Sequence, residues 1–96
     1  MPKNISVEGD LSAGGGAPFD TGLSTTVFAG GKAVALKDQT SSSIPDYYGE
    51  GVGGLSTASE GSPNVFAQGV AVHRVGDARL SGTTTLGPGI ATVIVN

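Results

Sequence analysis

Two segments of the chain are near copies of each other. When STTVFAGGKAV (24–34) is laid over SPNVFAQGVAV (62–72), Val27, Phe28, Ala29, Gly31, Ala33 and Val34 fall on Val65, Phe66, Ala67, Gly69, Ala71 and Val72. A third, truncated copy is GIATVIVN (89–96), which lies over GSPNVFAQ (61–68). Gly89, Thr92, Val93, Ile94, Val95 and Asn96 then take the places of Gly61, Asn64, Val65, Phe66, Ala67 and Gln68. In this alignment the sequence stops where the third hairpin would turn. Each copy follows acidic punctuation: Gly9-Asp10, then Asp38, then Gly76-Asp77. Counted from each Asp to the matching Val, the middle unit is longer by about ten residues, and the surplus lies in SSSIPDYYGEGVGG (41–54). Solenoid arrays keep a nearly constant period. Three unequal loops on three similar strands imply instead a compact body with approximate threefold symmetry.

Within each full copy the pattern is an apolar run, a Gly-containing turn and a second apolar run, which is the signature of a β-hairpin. No window has a convincing helical period, although LSTASE (55–60) has room for one helical turn before Gly61 and Pro63 stop it. Gly supplies 17 of 96 residues, against an average of about 7%. Between short β-branched runs, so much Gly means many tight turns, because Gly reaches positive φ without steric cost. An apolar content of 38% argues against a disordered chain. The expectation is one all-β domain over residues 1–96, with short strands and hairpins in a pseudo-threefold arrangement, Gly-rich turns and an insertion loop at about 41–54.

Charge and composition remove several function classes. A net charge of −3 with only five basic residues leaves little with which to neutralise phosphates, so nucleic acid is not an expected partner. No apolar run is long enough to cross a bilayer as a helix. The opening MPKNISVEGDL lacks the apolar core of a secretory signal. Asn4-Ile5-Ser6 matches a glycosylation sequon, but the motif is common by chance and is discounted without such a signal.

The segment GSPNVFAQGVAVHRVGD (61–77) resembles the PAAR-repeat pattern, in which a G-S-P-x-V-F-x-x-G strand and turn lead into an A-x-R-x-G-D run. EGDLSAGGG (8–16) is similar to the G-D-x-x-x-G-G opening of such proteins. The resemblance covers most of the chain and leaves 41–54 outside. It implies a small cone-shaped protein whose wide base sits on the blunt end of a trimeric β-helical spike, one tip per trimer. The narrow end makes transient contact with the target cell envelope. The implied location is a phage tail tip or a type VI secretion spike, after synthesis in the bacterial cytoplasm. Because the sequence ends at Asn96, straight after the third copy, a bare tip is expected.

The resemblance also implies a zinc ion held near the tip by three His and one Cys. Here Ala13 stands where a His is expected, and Leu80 or Ser81 where the Cys is expected. One His and no Cys cannot supply a four-ligand zinc site. No metal and no cofactor are therefore expected, and the tip is expected to rest on backbone hydrogen bonds and small-residue packing.

The remaining motifs favour plain structural readings. His73 is the only imidazole and the only candidate metal ligand; the preferred reading is a surface or hydrogen-bonded side chain. A Ser-His-Asp triad drawn on paper from many serines, His73 and Asp77 carries almost no information, and no nucleophile elbow is present. GEGVGG (49–54) satisfies G-x-G-x-x-G without the strand–helix context of a dinucleotide site, and reads as a loop. Tyr47 and Tyr48 fit a contact patch or a loop anchor equally well. Val27, Phe28, Val65, Phe66, Val93 and Ile94 are adjacent apolar pairs on strands, so one member of each pair is expected inside and the other at a partner interface. The functional expectation is a non-enzymatic spike tip. The alternative is a small β module that binds carbohydrate or peptide through 41–54.

Overall fold

The computed structural model of the chain describes residues 2–14, 16–44, 46–48, 52–54 and 56–96, with the backbone alone at 46–48 and 52–54. The described residues form ten short strands and no helix, in a body of 34 × 26 × 21 Å rather than an elongated array. Residues 56–60 run extended, with Ala58 bridged to Arg79, so 55–60 holds no helical turn among its described residues.

The repeated segments make hairpins in identical register. Strand β3 (Phe28–Ala29) pairs with β4 (Lys32–Ala33), placing Phe28 opposite Ala33 and Ala29 opposite Lys32. Strand β7 (Phe66–Ala67) pairs with β8 (Val70–Ala71), with Phe66 opposite Ala71 and Ala67 opposite Val70. The third hairpin also has two sides. Strand β10 (Ile90–Val95) pairs with β1 (Lys3–Ile5), Ile94 opposite Asn4 and Val95 opposite Lys3. The unit that breaks off at Asn96 is thus completed by the first strand, which the repeat alignment did not include. The remaining pairs are β2 (Leu11–Ser12) with β9 (Thr85–Gly87), and β5 (Asp46–Tyr48) with β6 (Val52–Gly54) in the insertion. The insertion therefore carries a hairpin of its own, and β6 holds the second half of GEGVGG. Gly49, Glu50 and Gly51 of that motif lie outside the described residues.

Beyond each hairpin the chain enters a ring. The Ala35 N–H donates to Ser6 O at 2.9 Å, the His73 N–H to Ala35 O at 2.9 Å, and the Ser6 N–H to His73 O at 3.0 Å. A second set closes the cycle in the opposite sense: Glu8 N–H to Ala33 O, Lys37 N–H to Ala71 O, and Val75 N–H to Asn4 O, at 2.9, 2.9 and 3.0 Å. The bridges Val7–Val34, Leu36–Val72 and Arg74–Ile5 close the same cycle. Three segments that each donate to the next with matching geometry are related by rotation about a common axis. The expected pseudo-threefold arrangement is present.

Each ring segment ends in a turn through a positive-φ residue: Gly9 (87°), Asp38 (63°) and Gly76 (93°). Asp38 therefore occupies the place of the two glycines, which corrects its pairing with Asp10 and Asp77. Those two carboxylates accept the Val7 and Arg74 backbone N–H groups, both at 3.0 Å. In the middle unit the Thr40 hydroxyl does this for Leu36 at 2.7 Å.

Side chains alternate along an extended segment, so the ring separates two cores. One side packs Ile5, Val7, Val34, Leu36 and Val72 with Ala29 and Ala67 of the hairpins. Ala35 belongs to a second cluster with Phe19 and Ala58. Gly89 stands where the third unit joins the ring. Its φ is +66°, and an added Cβ would lie 2.6 Å from Val75 Cγ2 and 2.7 Å from Ile5 O. Gly31 has φ +79° with open space around it. Gly89→Ala is expected to destabilise by more than ~1 kcal/mol, several degrees in Tm, and by more than Gly31→Ala. Thermal denaturation of the two variants checks this order.

Candidate functional site

The six paired apolar positions split by position within the repeat. Phe28, Phe66 and Ile94 are 60, 59 and 57% exposed, nearly equal values at one register position of the three hairpins. Val65 and Val93 are half-buried against the first core, while Val27 is more open. The pleat explains the split, since successive side chains point to opposite faces. Scattered exposed apolar side chains are ordinary. Three of them repeated about one axis form a symmetric apolar triad.

Local hydrogen bonds set the entry to two of these hairpins. Ser24 Oγ accepts the Thr26 and Val27 N–H groups at 3.3 and 2.9 Å. Ser62 Oγ accepts those of Asn64 and Val65 at 3.2 and 3.0 Å. Adjacent units are also tied: Gln68 Oε1, in the second turn, accepts the Ser24 hydroxyl and the Thr25 N–H, each at 2.6 Å. The third entry has Ile90 at this place, with no hydroxyl to offer, and its pairing shifts register between Asn4 and Ile5.

On the other side of the ring lies a buried polar cluster that the sequence did not announce. His73 is fully buried, which corrects the surface reading and supports the hydrogen-bonded one. Its Nδ1 lies 2.7 Å from Glu60 O, and its Nε2 2.7 Å from Thr85 Oγ1. A carbonyl only accepts, so Nδ1 carries a proton; in the neutral ring, which burial favours, Nε2 accepts from the Thr85 hydroxyl. Thr85 Oγ1 in turn accepts from Arg79 Nε at 2.8 Å. Phe19 meets the imidazole edge-on, with ring centroids 5.4 Å apart, and Arg79 Cζ stands 3.8 Å from the Phe19 centroid.

Asp77 is directed elsewhere. Its carboxylate takes Arg74 Nε and Nη2 at 2.8 and 2.9 Å and Lys3 Nζ at 2.9 Å. With no carboxylate on its Nδ1 and a threonine on its Nε2, His73 forms no Ser-His-Asp relay. A fully buried imidazole with both nitrogens engaged is not placed to act as a base on a substrate. Among the described residues no group of three or more His, Cys, Asp or Glu side chains could hold a metal ion. The positions that the resemblance marks as ligands are Ala13, whose N–H donates to Thr84 O, and Leu80 or Ser81 in the 79–82 turn. They carry a methyl, an exposed Leu80 and Ser81 instead. The Tyr47 and Tyr48 side chains lie outside what the structure describes.

The chain matches no protein-family model, and no curated protein matches it. The site therefore rests on its own geometry.

Burial lowers the His73 pKa from the ordinary 6.5, outweighing the opposing pull of the Glu60 carbonyl and the Asp77 charge. For Asp77, burial pushes the pKa up, but the hydrogen bonds from Arg74 and Lys3 outweigh it and hold the carboxyl below its ordinary 3.8. The signs fix two pH windows. The unfolded chain binds the His73 proton first as pH falls, so that contribution is full above 6.5 and declines below it. The Asp77 contribution is full above 3.8 and is lost below it. Tm is therefore expected to begin falling below pH 6.5 and to fall further below pH 3.8. The imidazole signal in an NMR pH titration is expected to show a midpoint below 6.5; a midpoint at or above that value contradicts the neutral assignment.

Proposed function

We propose that the protein is a structural cap for the end of a homotrimeric partner, a spike tip of the PAAR type without chemistry of its own. The observation that carries the reading is the exposed triad Phe28, Phe66 and Ile94, set about an axis defined by a closed ring of backbone hydrogen bonds. One chain that seals a threefold object must offer the same contact three times. A chain with a single site would leave two of three equivalent surfaces uncovered. Apolar side chains at 57–60% exposure have area left to bury, and aromatic residues are enriched among interface anchors. The resemblance of 61–77 to the PAAR pattern supplies the class of partner, a trimeric β-helical spike on a phage tail or type VI secretion device. In that setting the opposite end meets the target envelope.

Mixing the protein with trimeric β-helical spike proteins and measuring complex mass by light scattering is expected to give one chain per trimer. Phe28→Asp and Phe66→Asp should each weaken that complex at least ~10-fold, with Tm little changed because the side chains are largely outside the core. Three chains per trimer, or variants that bind like the parent, contradict the cap. A saccharide-dependent rise in Tm without spike binding favours a module that uses 41–54.

A further inference from the structure

The PAAR resemblance implies a tip organised by a metal ion, and the residues present do not fit one. The buried cluster already contains a cation. Arg79 is 2% exposed and collects groups from well-separated parts of the chain. Its Nη1 donates to Ala17 O at 2.9 Å and to Ser56 Oγ at 2.7 Å, its Nη2 to Asp10 O at 3.0 Å, and its Nε to Thr85 Oγ1 at 2.8 Å. Phe19 covers one face of the guanidinium. These partners are carbonyls, hydroxyls and a π-face, an acceptor set directed at a planar donor. A second cation would meet a fixed positive charge there, and His73 has no free nitrogen to offer it.

We infer that the guanidinium of Arg79 is the cross-linking centre of this end of the molecule, in the role that a bound metal ion would otherwise fill. The geometry of the fork carries the idea. Arg offers five N–H donors in a fixed plane, while Lys offers a point charge on a flexible stem. One planar group therefore pins Asp10, Ala17, the chain at Ser56 and β9 to the 79–82 turn. Unlike a metal site, such a centre needs no deprotonated ligands and does not dissociate under a chelator. Three of the bulkiest buried side chains, Arg79, Phe19 and His73, touch one another or share Thr85, and so add to the backbone bonds and small-residue packing expected at the tip.

The inference stands apart from the capping function and is tested on the isolated protein. Purified protein is expected to contain less than ~0.1 zinc per chain, and its Tm to move by less than ~1 °C with EDTA or with added zinc, because a ligand that binds the folded state would raise it. Stoichiometric zinc, or a Tm that depends on it, overturns the inference. In the unaltered protein the Arg79 Hε and Hη protons are expected as separate, slowly exchanging NMR signals; a single averaged, rapidly exchanging signal overturns it. Arg79→Lys should lower Tm by more than ~10 °C despite keeping the charge, and Ser56→Ala, which removes one acceptor, by a few degrees. If Arg79→Lys melts with the parent, the planar fork is not the cross-link. If it does not fold, the loss is read from Ser56→Ala, and an unchanged Tm there overturns the inference.

Discussion

Three backbone hydrogen bonds, among Ser6, Ala35 and His73, hold the rest of the structure in register. Each segment is too short to be a stable strand pair alone, since isolated two-stranded ribbons are marginal in water. Closing the cycle means that every segment is both donor and acceptor, so no segment is left as an open edge at the axis. The ring also divides the interior, because residues that alternate along it are sent to opposite sides. The apolar side supports two hairpins in one register and the β1–β10 pair beside them, and the other side holds the polar cluster.

The two sides treat the pseudo-symmetry differently, and packing at an axis explains why. On the hairpin side the equivalent residues are alike: Ile5, Val34 and Val72 in the core, with Phe28, Phe66 and Ile94 outside. On the polar side one unit is large where the others are small. His73 corresponds to Ala35 and Ser6, and Arg79, two residues past Asp77, corresponds to Ser12, two past Asp10. Three bulky groups cannot all occupy the same axial space at the density of a protein interior. His73 and Arg79 of one unit fill it together with Phe19, and the small equivalents Ala35, Ser6 and Ser12 leave room. Symmetry is kept where a symmetric partner would read it and given up where the chain needs a unique, fully bonded centre.

That centre has the character expected of a satisfied buried network. Among the described residues no buried side-chain nitrogen or oxygen lacks a hydrogen-bond partner. A buried charge is tolerated only with such pairing. The chain of donors from Arg79 through the Thr85 hydroxyl to His73 matches the neutral imidazole that burial favours.

Much of the architecture was legible in the amino-acid sequence. Val-Phe-Ala with its Gly turn in two copies, and Val-Ile-Val in the third, determined three similar β elements, and alternation divided Val65 from Phe66 and Val93 from Ile94 between core and surface, whereas Val27 stays open beside Phe28. These are short-range properties, set by the two-residue period of a strand and the turn preference of Gly. Tertiary structure decided that the third hairpin is completed by Lys3–Ile5, that Thr40 rather than Asp38 performs the work of Asp10 and Asp77, and that Arg79 and His73 are interior. Each of these depends on which distant groups meet in space. An Arg in GDARL reads as a solvated charge until Ala17 O, Ser56 Oγ, Asp10 O and Thr85 Oγ1 are brought around it, and that convergence is a property of the closed fold rather than of any local pattern.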